Sequence, residues 1–369
     1  MHIYSAKPVA KPAPRPLWHL GAGPRLNAHE VLQFTQQVEA LLRAGMTLPD
    51  AVRIYRQGQQ RPVAVRLLTA LERDLGNGST VAAALAALPT SFDPLYLRLI
   101  SAGETSGTLE QTFGRLSDLL LRKQQLQQKT RTALVHPTAI AAVACAVCAL
   151  LLVKVVPEFQ QLFGHFGRTL PSLTLGVIRL SDYLIDYGLW CGALAISAGY
   201  GLRIATRRFE YLRSLLHQVM LKLPIVGTIA TCSCVARFAR TMATGYAAGL
   251  PIGEALGHAA TAPGNIVFAQ ACGLAQTAID QGVDLTSALG NTTAFPDLLI
   301  HMIGVGEQAG TLETMLLQAA AYYEARFDHA IDRLIPLLEP VMMVALGGLI
   351  GALMLAMYLP LFQMGSVLG

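Results

Sequence analysis

The chain has 369 residues, of which 53% are hydrophobic and only 14% charged, with a mean hydropathy of +0.45. Soluble domains carry roughly 25% charged residues, so this balance excludes a fully water-soluble globule, and it excludes disorder over most of the length. The formal net charge of +5 is modest, and no internal segment carries a basic stripe with interleaved aromatics, which argues against nucleic-acid binding.

Residues 1–27 are basic and proline-rich, with KPVAKPAPRP at 7–16 and no apolar signal-peptide core behind it. A disordered cytoplasmic tail is expected there, with an anionic-lipid tether as the alternative. From 28 to 135 the pattern is helical, because Val31, Phe34, Val38, Leu41 and Leu42 recur at helix spacing. Asn27 with Glu30 reads as a capping box, and Gly45 suits the left-handed residue beyond a helix C-terminus. Asp93-Pro94 reads as N-cap then N1, and Thr108 with Gln111 as a further capping box. Leu109, Phe113, Leu116 and Leu120 begin a long helix that leads toward the first apolar stretch.

Three stretches approach the ~20 apolar residues needed to cross a bilayer: 138–156, 185–205 and 341–362, the last without any charge. They leave a short loop at 157–184, a second polar helical segment at 206–338 and a tail at 363–369. Eleven Lys/Arg flank the spans on the side of the large segments, against Arg168 and Arg179 in the loop. The positive-inside rule then puts both large segments and the N-terminus in the cytoplasm, and the loop and C-terminus in the periplasm. Gly188-x-x-x-Gly192 and Gly347-x-x-x-Gly351 permit close helix approach, within the chain or to a partner's membrane helix.

The two large segments are copies of one unit. At an offset of 204, Phe34 to Ala51 lies over Phe238 to Ala255, with Phe34/Phe238, Ala44/Ala248, Gly45/Gly249 and Ala51/Ala255 identical. At 203, AGETSGTLE (Ala102 to Glu110) lies over VGEQAGTLE (Val305 to Glu313), and Pro137 over Pro340. No stretch shows sustained period-two alternation with hairpin turns. The expected fold is an all-α membrane protein with two homologous cytoplasmic bundles of about six helices each and three transmembrane helices.

The repeated G-E-x-x-G-T-L-E is the most specific local signal, carried by Gly103, Glu104, Gly107 and Leu109 and again by Gly306, Glu307, Gly310 and Leu312. Each glycine is expected to supply a positive φ around a helix break. Glu104 and Glu307 are expected to accept hydrogen bonds from the free N–H groups of the next helix start; a partner-docking or cation-binding carboxylate is the alternative. Glu339-Pro340 has the same ambiguity at the mouth of the third span, as helix-start capping or as an acid meeting a partner's charge.

Catalytic motifs are absent. No lysine follows a glycine, so there is no P-loop, and neither H-E-x-x-H nor G-x-S-x-G occurs. His136 has Glu339 as its counterpart, which argues for helix-start capping over a shared catalytic role. Cys145 and Cys148 form C-x-x-C inside an apolar run, which reads as two small residues on one helix face rather than a metal or redox pair. No catalytic, cofactor or metal site is expected.

These residues resemble the polytopic inner-membrane platform proteins of type II secretion systems and type IV pili, the GspF/PilC-like family, over about residues 30–365. The likeness rests on the duplicated L-x-A-G-x-x-L-x-x-A and G-E-x-x-G-x-L-E elements, with Gly45 and Gly249 in the first, and on Pro137 and Pro340 opening the first and third spans. It extends to an external-loop segment from Val155 through Pro157, Phe159, Leu170 and Pro171 to Ser181-Asp182. The N-terminal segment departs from the family, in which a longer one is often present. The resemblance implies a non-enzymatic protein of the bacterial inner membrane that binds a cytoplasmic assembly ATPase and helps move pilin or pseudopilin subunits into a fibre. Other inner-membrane assembly components, and further copies of this chain in a homo-oligomer, are implied as partners. A membrane transporter or channel subunit is the alternative, motivated by the repeat but poorly served by spans without mid-span charge.

Overall fold

A computed structural model describes residues 25–88, 91–158, 172–208 and 210–365. The tail expected over the first residues lies almost wholly outside them, as do Phe159, Leu170 and Pro171 of the external-loop segment. Among the described residues every regular element is helical. The chain divides between Ser117 and Asp118 into two compact units.

The first unit contains α1 (Ala28–Arg43), α2 (Leu48–Gln57), α3 (Pro62–Gly76), α4 (Val81–Ala86), α5 (Pro94–Thr105) and the start of α6 (Leu109–Leu150). Local sequence sets these limits. Thr47, Thr80 and Asp93 cap α2, α4 and α5 by accepting from Asp50 N, Ala83 N and Tyr96 N. Glu30 reaches back to the Asn27 N–H at 2.6 Å, as its spacing predicts. The core centres on Phe34, which meets Tyr55, Phe92 and Phe113 edge-on at ring distances of 5.4, 5.9 and 6.5 Å. Beside it the buried Tyr96 hydroxyl is 3.0 Å from Thr35 Oγ1, and burial raises its pKa above the ordinary phenol value.

The second unit repeats this plan with α9 (Pro224–Ala247), α10 (Ile252–Thr261), α11 (Ile266–Asp280), α12 (Leu285–Gly290), α13 (Asp297–Ala309) and the start of α14 (Leu312–Gly365). Its core places Phe238 against Phe295 at 4.6 Å, and Phe268 against Phe295 at 5.3 Å. Phe238 stands where the first unit has Phe34. Arg240 on α9 pairs in bidentate fashion with Glu324 on α14 at 2.6 and 2.8 Å, both side chains about 15% exposed or less. Replacing Arg240 with Ala leaves a largely buried carboxylate unpaired, an expected loss of about 3–5 kcal/mol. Denaturant unfolding of the full chain in detergent measures it, and the Arg240→Ala/Glu324→Ala double variant should lose less than the sum of the two single changes.

The same unit holds the apolar helices. Among the described residues two are long and apolar enough to cross a membrane, Leu109–Glu158, which begins in the first unit, and Leu312–Leu359. A bent pair, Leu212–Leu221 with Ile225–Ala247, passes the same test with a 108° break. Val235, Phe238, Ala239 and Met242 of its second arm are fully buried, so that arm is the core helix of the bundle. The stretch expected as the second span lies in α7 (Ser172–Arg208), followed by α8 (Glu210–Lys222).

The structure corrects two expectations about these helices. Pro137 lies inside α6, and Glu339-Pro340 lies inside α14, so neither proline opens a helix and neither His136 nor Glu339 caps one. A mid-helix proline frees a carbonyl and costs about 3 kcal/mol in water, yet membrane helices tolerate it. Moreover, half of the expected 157–184 loop is helix, since α7 begins at Ser172. Its first turns pack on the apolar cluster of Cys148, Leu152, Val156, Ile178 and Leu353. Ser181 donates to the Leu152 carbonyl at 2.5 Å, and Thr174 to the Ala356 carbonyl at 2.6 Å. Leu152 sits in a π-helical turn, Leu151–Val155, where the wider ring disturbs the ordinary backbone pairing. The turn continues into helix ending at Glu158, with Pro157 in its last residues.

Candidate functional site

The repeated motif builds the same junction twice. In the first unit Gly107 ends α5 at φ 69°, and the Thr108 N–H donates back to the Gly103 carbonyl at 2.8 Å. In the second, Gly310 has φ 68° and the Thr311 N–H donates to the Gly306 carbonyl at 2.8 Å. These are helix C-caps that need a left-handed residue, which glycine adopts without strain. Gly45 and Gly249 close α1 and α9 in the same way, at φ 83° and 82°.

Gly103 and Gly306 do different work from the one expected. Both are interior helical residues, and what they provide is close approach. A Cβ on Gly103 would stand 2.2 Å from Thr112 Oγ1 and 2.8 Å from Thr112 Cβ. One on Gly306 would stand 2.9 Å from Leu312 Cα and 3.0 Å from Met315 Cβ. The chain turns so sharply after the motif that the next helix crosses directly over these two positions. Leu109 and Leu312 are the first residues of the crossing helices, α6 and α14.

Glu104 and Glu307 accept from helix-start N–H groups, but not those of the following helix. Glu104 Oε1 accepts from Val81 N at 2.8 Å, and Oε2 from Ala82 N at 3.3 Å. Glu307 accepts from Leu285 N at 3.0 Å, from Thr286 N at 3.1 Å and from the Thr286 hydroxyl at 2.7 Å. Each carboxylate therefore caps the six-residue helix that precedes its own, α4 or α12. Thr80 and Asp284 supply the N-cap of the same helices, and hydrogen bonds from Ser287 hold the Asp284 carboxyl below the ordinary range. Nearly all the free donors at these helix starts have acceptors. The carboxylates are engaged inside the fold.

Between the bundle of the second unit and its apolar spans, Lys129 on α6 lies 2.9 Å from Asp328 and 3.5 Å from Asp332 on α14. Partial burial lowers the Lys129 pKa, but the hydrogen bond and charge of Asp328, reinforced by Asp332, outweigh it and leave it raised. Nothing in the sequence spacing of Lys129, Arg240 or Glu324 distinguishes their pairings from solvated charges. Burial pushes the thiols of Cys234 and Cys272 up to about 11 and about 12, so both stay protonated at neutral pH. Cys148 of the C-x-x-C is packed among apolar side chains while Cys145 is exposed. Among the described residues no group of three His, Cys, Asp or Glu is arranged to hold a metal ion.

Two copies of one helical junction, each feeding a long apolar helix, define a membrane scaffold built by duplication. The chain belongs to the family described as type II secretion system (T2SS), protein F, which matches residues 34–157 and 238–360. The two matches begin at Phe34 and Phe238, the aromatic pair that opens the internal repeat. The chain is 38% identical over 350 residues to the type IV pilus assembly protein PilC of Pseudomonas aeruginosa, covering 95% of this chain and 94% of that protein. It is 32% identical to the type IV pilus assembly protein TapC of Aeromonas hydrophila, over 94% of this chain and 84% of that one. Against the type II secretion system protein F of Aeromonas hydrophila the figure is 30%, over 92% and 87%.

Proposed function

We propose that this chain is a non-enzymatic inner-membrane platform for assembly of a type IV pilus or a type II secretion pseudopilus. In this reading both bundles lie in the cytoplasm and dock an assembly ATPase. The spans at 138–156, 185–205 and 341–362 offer the bilayer surface from which pilin or pseudopilin subunits enter the fibre, beside other inner-membrane components and further copies of the chain. The N-terminus is cytoplasmic and the C-terminus periplasmic. Greater identity to proteins named for pilus assembly, 38% against 30% for a secretion protein F, favours the pilus.

One observation carries this reading. α14 runs unbroken over 54 residues, from a bundle core where Leu316, Ala319 and Ala320 are fully buried into the apolar stretch beyond Pro340. A continuous helix carries tilt or rotation along its length, whereas a glycine-rich linker dissipates it. Work done on the bundle by a motor thus reaches the lipid phase. The excess of basic residues beside the large segments supports their cytoplasmic placement.

The test is topological and functional together. Cysteines introduced at exposed positions of 28–135 and of 206–338 should both react with a membrane-impermeant thiol reagent in inside-out vesicles and not in intact spheroplasts. Deletion of the gene should abolish filaments, and the purified chain should retain the assembly ATPase. Opposite accessibility of the two segments, or normal filaments in the deletion strain, overturns the proposal.

A further inference from the structure

The second unit contains an open groove of about 680 Å³ that the platform role does not use. That volume falls within the roughly 300–1,000 Å³ of small-molecule pockets. Leu126 and Leu134 of α6, Val226 of α9, Ile331 and Leu334 of α14, and Met220 of α8 line it. Two arginines, Arg131 of α6 and Arg237 of α9, are also among its lining residues, and no carboxylate is among those described. Arg237 is anchored through Nε to the Ser233 carbonyl at 3.2 Å.

Its place along the helices limits what fills it. Leu134 precedes the apolar stretch at 138 by four residues and Leu334 precedes that at 341 by seven, which is about 6 and 10 Å along a helix at 1.5 Å per residue. Headgroups occupy about 5–8 Å on each side of the hydrocarbon core, so the Leu134 end of the groove opens at headgroup level and the Leu334 side just beneath it. α8 borders it with an unburied apolar face: Leu215, Val219 and Met220 are 46%, 52% and 45% exposed. Arg213 on the same helix lies 3.5 Å from the Gly264 carbonyl at the groove rim. A short helix with an apolar face and basic residues, turned through 108° from the helix that follows, has the character of an interfacial helix. Apolar walls, two cations and no anion at headgroup depth are complementary to one kind of occupant, an acyl chain attached to a phosphate.

We infer that this groove holds one anionic phospholipid of the adjoining leaflet, with an acyl chain against Leu134, Val226 and Leu334 at its membrane end and the phosphate at Arg131 and Arg237. The lipid then joins the bundle to the bilayer at the point where α6 and α14 leave it. This inference does not depend on which filament or motor the chain serves.

The full chain purified in mild detergent is exposed to equal amounts of phosphatidylglycerol and phosphatidylethanolamine, and bound lipid is read by native mass spectrometry. A photoreactive phosphatidylglycerol analogue then maps the contact. Wild type should retain phosphatidylglycerol in preference by roughly tenfold, because both lipids carry the phosphate but only phosphatidylethanolamine adds an ammonium that the two arginines repel. Labelled peptides should fall within 126–134, 220–237 and 327–334. Ala230→Trp fills the groove and should remove bound lipid of both kinds, while Arg131→Gln with Arg237→Gln should abolish the preference. Equal retention of the two lipids, unchanged retention in a normally melting Ala230→Trp, or crosslinks confined elsewhere or to a second copy of the chain overturns the inference. Should Ala230→Trp fail to fold, Arg131→Gln alone decides, because Arg131 is exposed and its loss leaves the core intact.

Discussion

Gly103→Val is expected to unfold the first helical unit, and Gly107→Ala only to weaken it, although both change a glycine of the same motif. At Gly103 the first added carbon already stands 2.8 Å from Thr112 Cβ. No rotamer of Thr112 relieves a clash with its own Cβ, so α5 and α6 must move apart. Thr112 is 3% exposed and its neighbour Phe113 is wholly buried against Phe34. Separating the helices therefore opens the core. Overpacking of this kind costs about 1–3 kcal/mol for modest insertions and more where the backbone must shift, against a total stability of about 5–15 kcal/mol. Gly107, by contrast, has nothing within 4 Å of a new Cβ and needs only its φ of 69°. An alanine there costs about 1–2 kcal/mol. Hydrogen exchange on the full chain in detergent separates the two: protection is lost from α1 through the start of α6 in Gly103→Val, and only around 105–108 in Gly107→Ala. Thr112→Ala should rescue Gly103→Val poorly, because its Cβ remains. If Gly107→Ala proves the more damaging change, the close approach is not what holds this junction together.

Much of the plan is legible in the sequence because the duplication marks it. Phe34/Phe238 and Gly45/Gly249 share a register, and the structure gives them the same places: ring at the core centre, glycine in the left-handed cap. Helix ends at Asn27, Asp93 and Gly107 follow from side chains adjacent in sequence, and local rules reach that far. Most of the misreadings involve contacts that cross the fold. Which helix start Glu104 caps depends on α4 and α5 folding back on one another across 22–23 residues. A glycine needed for close approach looks the same in sequence as one needed for positive φ. Pro137 and Pro340 look like helix starts because proline in water breaks a helix, but apolar surroundings favour an intact one with a single missing bond. The packing of Thr174 and Ser181 was invisible for a further reason: their acceptors are backbone carbonyls of Ala356 and Leu152, which carry no sequence signature.

Glu307→Ala should destabilise the second bundle by about 2–3 kcal/mol, and Glu307→Gln by about half as much. The carboxylate satisfies Leu285 N, Thr286 N and the Thr286 hydroxyl together. A glutamine keeps one acceptor and turns a donor toward the other N–H group, and alanine leaves both to water that reaches them incompletely. α12 has only six residues, too few to persist without tertiary support, so its start is where the loss appears. Exchange at the Leu285, Thr286 and Ser287 amides of the full chain should rise first, before the fully buried Leu289 and Leu299 are affected. Glu104→Ala should reproduce the pattern at Val81 and Ala82, with a smaller loss because it has one bond fewer in the structure. Should those amides keep their protection in Glu307→Ala while binding of a purified assembly ATPase disappears, the repeated carboxylate is a docking group facing the motor. Lost protection with binding retained by the folded fraction identifies it instead as the clasp that fixes α12 to α13, and leaves the motor to be held by the exposed faces around it.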